Sequence, residues 1–516
     1  MAERRRMRRR TAEAASATPM KPVGLTRPPK MAYPPAQVIS ADQLEAIHRA
    51  SLRILAEVGI KILSGEAREI LRSAGADVDN ASQIVRFDPD LVMGKVALAP
   101  ARFPLEARNP ARSLVIGDGS VVFSAVGGPA FVDDLDRGRR PGTYAEQCDF
   151  MRLLQSIDVL HQEGGGAFEA LDIPADRRHL DLHLAQITLT DKSWAPWGLG
   201  RIRARDGIEM AAMALGRTAE TLEGRVVHTC VINTNSPLMI DIPMAEGLIE
   251  MATFGQAVVV TPFTLSGAMS PVTLAGALAQ QNAEALGGIV LAQCVRAGAP
   301  VIYGGFTTNV DMRTGSPAFG TPEYTQAAQI TGQLARRYNL PFRSSNTTGA
   351  HLCDAQAAYE SQMSLWGAVM GGASIVKHAA GWLGGGLVAS FEKLIIDAEM
   401  LQMMAHYLEP PAIDTASLGV EAIASVGHGG HFFGEEHTLS RYKTAFYEPL
   451  VSDWDNYENW VEKGSLSAAD RANATWKRLL KEYQEPPLDP AIHEAVTDYA
   501  ERRKREIDAG VNRPDD

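Results

Sequence analysis

Hydrophobic positions along the chain follow two regimes. From Ser40 to Gly75 they recur at helical spacing, at Leu44, Ile47, Leu52, Ile54 and Leu55, behind a Ser40-Ala-Asp-Gln43 cap. Residues 60–135 read as short strands and turns, with Leu114, Val115, Ile116, Val121, Val122 and Phe123 around the turn Gly117-Asp-Gly119. From about residue 155 the character changes, and short β-branched runs alternate with long amphipathic helices. The runs are 226–234, 257–264, 300–308, 341–346 and 374–379, and they start 31 to 43 residues apart. Helical patterns fill 244–254, 274–297, 323–337 and 355–370, and another follows at 391–407.

Strand–helix alternation at this spacing predicts βαβ units and a parallel sheet. Candidates around 159–164 and 194–200 bring the strand count near eight. A (β/α)8 barrel and a doubly wound sheet both fit. No Gly-x-Gly-x-x-Gly follows the first strand, which disfavours dinucleotide binding. Polar and glycine residues follow several strands: Asn233-Thr-Asn-Ser236, Thr264-Leu-Ser-Gly267, Gly304-Gly-Phe-Thr-Thr-Asn309 and Ser344-Ser-Asn-Thr-Thr-Gly349. A barrel mouth is built in this way. The expected fold is therefore α/β, a TIM-type barrel over 151–411. An α+β preface over 37–150 precedes it, and a mostly helical extension over 412–516 follows.

The 516 residues carry a formal charge of −11, with 45% hydrophobic and 22% charged positions. A disordered chain is excluded, and an acidic balance disfavours a nucleic-acid partner. No apolar run of 18 residues appears, so no membrane helix is expected. Six arginines within Met1–Arg10 lack a following apolar segment, so 1–36 reads as a disordered basic tail. Cys148, Cys230, Cys294 and Cys353 form no Cys-x-x-Cys pair, which fits a reduced, cytoplasmic protein.

Four constellations carry possible chemistry. His428, His431 and His437 lie with Glu435 and Glu436 in a glycine-flanked loop, but not at zincin spacing, so no metal is assigned. Lys377-His378 runs into Gly381-Trp382 and Gly384-Gly385-Gly386, where a backbone can approach a ligand and Trp382 can stack. Glu392, Asp397 and Glu399 crowd one helix, as a solvated face also would. The stretch from Arg343 to Asp354 is a polar loop, with Asp354 as a helix cap and His351 as an acid–base or hydrogen-bonding group. Phe131, Trp194, Trp197, Phe263, Phe306 and Phe319 sit near strand ends. Several of these converging make a cage for a quaternary ammonium.

Gly381-Trp-Leu-Gly-Gly-Gly-Leu-Val-Ala-Ser-Phe-Glu-Lys393, Asp397-Ala-Glu399, Asp354-Ala-Gln-Ala-Ala-Tyr-Glu360 and Gly430-His-Phe-Phe-Gly-Glu-Glu-His437 together resemble the trimethylamine:corrinoid methyltransferase family, from about residue 36 to 510. The resemblance implies a (β/α)8 barrel that moves a methyl group from a methylated amine to the Co(I) corrinoid (cobalamin) of a separate small protein. It implies no tightly bound cofactor of the chain's own. Founding members carry pyrrolysine on the loop before the Asp-Ala-Gln motif, whereas this chain has only ordinary residues from Ser344 to Leu352. Similar members without it act on quaternary amines such as glycine betaine, proline betaine, carnitine or γ-butyrobetaine.

With that resemblance, His351 and Asn346 become the catalytic candidates. Arg343, Thr347, Phe306, Trp197 and Trp382 are the substrate-binding candidates. Gly304, Gly305, Gly384, Gly385 and His431 are expected to face the corrinoid. The expected partners are a small corrinoid protein, a small methylated amine and further copies of the chain. The alternatives are a metal-dependent barrel lyase or hydrolase using the 428–437 cluster, and a non-catalytic betaine-binding protein.

Overall fold

The computed structural model describes residues 27–514 apart from Glu223. Most of the expected basic tail, 1–26, lies outside the described residues, as do 515 and 516 of the C-terminal extension. The stretch 27–36, read from the sequence as the end of that tail, is docked on the body. Val121 N donates to Pro29 O, Ala36 N donates to Met370 O, and Tyr33 stacks on Tyr407.

The expected N-terminal helix divides in three. Ala41–Arg53 is α-helical behind a Ser40/Gln43 capping box, a π-turn spans Ile54–Val58, and a strand follows at Ile60–Ile62. The break falls at Gly59, whose φ is +82°. A Cβ there would stand 2.5 Å from Val85 O, so only glycine lets the chain turn so close to the neighbouring strand. Helices Gly65–Ser73 and Pro89–Val96 interrupt the region read as strands and turns. Asp88 caps the second of these, with proline at its first position.

Six strands form one all-parallel sheet: β1 (Val122–Phe123), β2 (Thr229–Ile232), β3 (Ala257–Val260), β4 (Val301–Gly304), β5 (Phe342–Ser345) and β6 (Ile375–Lys377). Their order is β1-β6-β5-β4-β3-β2. The connecting helices match the periodicity closely: Ile242–Thr253, Leu274–Val295, Pro322–Arg337 and Ala355–Met370, with Phe391–Leu408 after β6. The molecule is thus a mixed α/β fold built on a parallel half-barrel sheet. Single parallel bridges Ser124–Gln162, Gln162–Ser193 and Trp194–His228 carry the neighbour order on from β1, and His228 directly precedes β2. The segments expected near 159–164 and 194–200 are present as these bridges rather than as ladders.

Two levels stack inside this sheet. At the amino ends of the strands Val122, Ala257, Val259, Ile302 and Ile375 form an apolar layer. The antiparallel hairpin Phe103–Leu105/Leu114–Ile116 closes it from below with Phe103, Leu105, Leu114 and Ile116. Above it, toward the carboxyl ends, the inward positions turn polar. Ligands in open parallel sheets bind at the carboxyl ends of the strands.

The three carboxylates expected on a crowded helix face are buried anchors instead. Asp397 pairs with Lys393, both side chains fully buried, and accepts from Gly381 N at 2.8 Å. Glu392 accepts from Asn473 Nδ2 and Trp476 Nε1. Glu399 accepts from Tyr447 OH, Leu450 N and Val451 N. Each spends its charge on fixing a loop or a C-terminal helix, because buried carboxylates must be paired. Among the described residues, no helix is long and apolar enough to cross a membrane.

Candidate active site

A cavity of about 730 Å³ opens at the carboxyl ends of the strands. The polar turn Asn233–Ser236 after β2 forms one wall. Buried Glu284 holds that turn, accepting from Thr234 Oγ1 and Ser236 Oγ at 2.6 Å and from Leu238 N at 2.9 Å. An aromatic group lines the same cavity. Phe306 lies 5.4 Å from Phe263, 5.5 Å from Phe319 and 5.9 Å from Trp382, centroid to centroid. Phe319 and Trp382 are 5.8 Å apart, edge to face. Trp197 also lines the cavity, its Nε1 donating to Gly165 O at 2.6 Å.

The triple glycine explains where Trp382 can stand. Gly384, Gly385 and Gly386 all have positive φ, and a Cβ at Gly386 would meet the indole at 2.4 Å. Gly386 therefore has no side chain so that the ring can fold over its own turn. The Asp397–Gly381 bond fixes the residue just before the indole, whose Nε1 donates to Thr348 O.

Three basic side chains face the same space. Arg343 on β5 is 2% exposed, and its Cζ stands 5.3 Å from the Phe306 centroid. Its Nε and Nη1 have no hydrogen-bond partner among the described residues. Burial lowers the guanidinium to about 10. Lys377, at the end of β6, is lowered to about 8, by burial first and against the pull of the Glu163 carboxylate. Among the described residues its Nζ makes only long hydrogen-bond contacts, 3.3 Å to Ser124 Oγ and 3.4 Å to Gly164 O. His378 follows at φ +52°, a left-handed conformation that costs a non-glycine residue about 1–3 kcal/mol. Burial, then the charges of Arg343 and Lys377, push its imidazole well below its ordinary range, so it is neutral. Beneath them Glu163 accepts from Gly165 N and Gly166 N at 2.7 Å and from Gln186 Nε2 at 2.5 Å.

Of the residues singled out from the sequence, Arg343, Phe306, Trp197, Trp382 and Gly385 line this cavity together. The others lie elsewhere. Asn346 is buried behind the wall, its Nδ2 donating to Ala379 O. Thr347 turns to Ser364 Oγ at 3.1 Å. His351 is exposed, with its Nδ1 beside Gly384. Gly304 and Gly305 sit where a Cβ would strike Thr261 and Thr331. His431 is exposed on the C-terminal segment, its ring against Phe433. Among the strand-end aromatics, Phe263 and Phe319 converge on the cavity, whereas Trp194 is core and Phe131 lies under Arg139.

Sequence reasoning named Lys377-His378 and Asn233 near strand ends without giving them a role in the site, and did not single out Glu163. Lys377 carried a signal, a charged residue closing an otherwise apolar strand. Glu163 had none, because only the fold brings it under β6. Glu360, within the Asp-Ala-Gln motif, accepts from Thr348 Oγ1, Gly349 N and Ala350 N, so this motif buttresses the loop after β5. Among the described residues no group of three or more His, Cys, Asp or Glu side chains is placed to hold a metal. The 428–437 cluster accordingly does not assemble, and the metal-dependent alternative is not favoured.

An aromatic cavity with buried cations at the carboxyl ends of a parallel sheet describes an enzyme pocket for a small polar molecule. Comparison with known proteins agrees. Residues 2–508 match the model of the family described as trimethylamine methyltransferase (MTTB), and the chain belongs to that family. It is an enzyme of the methyltransferase class. A glycine betaine methyltransferase of Desulfitobacterium hafniense (strain Y51) is 36% identical over 475 residues, spanning 92% of this chain and 98% of that protein. Trimethylamine methyltransferase MttB of D. hafniense (strain DSM 10664 / DCB-2) is 30% identical, spanning 90% and 94%. The crystal structure of the Methanosarcina barkeri monomethylamine methyltransferase (MtmB) aligns over 86% of this chain and 93% of that one, with a TM-score of 0.43 and 10% identity.

Proposed function

We propose that this enzyme takes a methyl group from a short betaine, glycine betaine or a near relative, and passes it to the Co(I) corrinoid of a separate small protein. The carrying observation is that one cavity holds both an aromatic cluster around Phe306 and a buried, under-partnered Arg343. A betaine presents the matching pair, a quaternary ammonium and a carboxylate a few bonds apart. The ring faces attract the cation. Arg343 takes the carboxylate through charge-assisted hydrogen bonds. A neutral tertiary amine leaves Arg343 without a counter-charge, which disfavours trimethylamine itself.

The corrinoid, when docked, supplies the cobalt nucleophile. The cavity suits the approach of a flat macrocycle. Gly127, Gly128, Gly164, Gly165, Gly385 and Gly386 line it, and a Cβ at Gly128 would meet nothing within 4 Å. The chain's own part is to hold the ammonium, aim one N–CH₃ bond outward and exclude water. No acid is required to expel the amine, since a tertiary amine is already a neutral leaving group. His378 is held neutral and adds no charge against the ammonium.

The single bridges at Ser124, Gln162, Ser193 and Trp194 support closure of the sheet into an eight-membered barrel around this cavity. The four free cysteines suit a reducing cytoplasm. Exposed Ile413, Val420, Ile423, Phe433 and Phe446 on the C-terminal segment support a further copy of the chain as a partner, to be read by light scattering.

The deciding experiment mixes the purified protein with Co(I) cobalamin and a panel of glycine betaine, proline betaine, carnitine and trimethylamine. Methylcobalamin is expected from a betaine and not from trimethylamine. No methylcobalamin from any betaine overturns the reading.

A further inference from the structure

The released tertiary amine raises a question that the transfer itself leaves open. It is born neutral, with a lone pair in a pocket shielded from water, beside the methyl group it has just lost. Until it gains a proton it remains able to attack that methyl group and reverse the step. The cavity holds one side chain suited to supply the proton. Arg343 keeps its protons at any working pH, even lowered to about 10. His378 is neutral. The Glu169 carboxylate is engaged by Arg178 at 2.5 Å. Lys377 remains. It lines the cavity from the end of β6, and among the described residues its ammonium is tied only by contacts of 3.3 and 3.4 Å.

We infer that Lys377 is the proton donor that captures the leaving tertiary amine, a role that rests on the betaine methyltransferase reading. The nitrogen–methyl bond breaks and its electron pair stays on nitrogen. That pair then takes a proton from the Lys377 ammonium, forming a nitrogen–hydrogen bond and leaving Lys377 as a neutral amine. Solvent water reprotonates Lys377 after the ammonium product departs. Proton and charge balance without any further reactant.

The surroundings of Lys377 fit a donor rather than a fixed structural cation. Its charged and titratable neighbours are Glu163, which holds the proton on, and Arg343 on the adjacent strand β5, which pushes it off, with His378 next in the chain and Cys230 on β2. Burial outweighs Glu163 and lowers the group to about 8, close to working pH, where proton donors act best. Glu163 itself is tied by Gly165, Gly166 and Gln186, so its carboxylate stays in place when Lys377 changes charge.

The test is steady-state turnover of glycine betaine with Co(I) cobalamin from pH 6 to 10, for the wild type, Lys377→Met and Lys377→Arg. The wild type should lose turnover as pH rises through about 8. Lys377→Met should fall about 100-fold or more at pH 7, the usual range for losing a positioned proton donor, and lose that alkaline limb. Betaine binding by calorimetry should persist, which shows that the pocket is still formed. Lys377→Arg keeps the charge but not a transferable proton, so it should fail as Lys377→Met does. Wild-type turnover by Lys377→Arg, or an unchanged alkaline limb in Lys377→Met, overturns the inference. No turnover of betaine by the wild type overturns the underlying reading instead.

Discussion

Arg343 Cζ stands 5.3 Å from the centroid of the Phe306 ring, with Nε and Nη1 buried and without hydrogen-bond partners among the described residues. A cation over a ring face is attractive, but an arginine in an interior needs more than one ring to offset its lost hydration. The two residues together put unpartnered guanidinium donors next to an aromatic surface, which is the basis for the proposed betaine site.

Replacing Arg343 with methionine removes the carboxylate anchor and keeps an apolar stem. A hydrogen-bonded charge contributes about 2–3 kcal/mol, so the KM for glycine betaine should rise about 30- to 150-fold. Weak binding of tetramethylammonium, which has no carboxylate, should not weaken further. Calorimetry with both ligands checks the pair.

Trp382→Leu keeps bulk and removes a ring face. Cation–π contacts run from about 0.5 to 2 kcal/mol, so betaine affinity should drop about 2- to 30-fold. The Phe306→Leu variant should lose a similar amount. Additive losses in the double variant would show that the rings act independently, whereas coupled losses would place them on one methyl cluster.

The Lys393–Asp397 pair is fully buried, and Asp397 also takes the Gly381 amide. Asp397→Ala strands a buried ammonium and should cost about 3–5 kcal/mol. The Lys393→Met, Asp397→Leu double variant should recover much of that in chemical denaturation. It should still bind betaine poorly, because Gly381 and therefore Trp382 lose their anchor.

His183 and His228 are buried and lowered to about 3 and about 4, chiefly by desolvation. Their folded values lie below the unfolded value near 6.5, so the unfolded chain binds protons first. Stability is complete above pH 6.5 and falls as pH drops toward 4, by about 1.4 kcal/mol per pH unit for each histidine. Urea midpoints from pH 7 to pH 5 should show this slope. His228→Gln should flatten it.

Much of the architecture was legible in the sequence because periodicity reports local burial. The helix Ala355–Met370 and the Asp354 cap appear as read, and Leu274–Val295 ends two residues short of the pattern. The expected continuous helix from Ser40 failed at Gly59, because the clash with Val85 O that makes glycine necessary comes from a strand not adjacent in sequence. Strands near Gln162 and Ser193 are bridges of one residue, too short for any periodic signal.

The sequence by itself determined the parallel sheet, the family and the chemical vocabulary of the site: aromatics, glycines and an arginine at strand ends. These follow from spacing, which the backbone imposes locally. Only the tertiary structure decided that Phe306, Phe319, Trp382 and Arg343 share one cavity with Lys377, while Asn346, Thr347 and His351 do not line it. Side-chain direction depends on strand register and on a glycine turn at Gly384–Gly386, and register is fixed by pairing with strands beyond the intervening helix, such as Phe263 with Phe306 and Arg343 with Ile375. Glu163 is the plainest case: 214 positions separate it from Lys377, yet the fold brings its carboxyl near enough to act on the Lys377 amine.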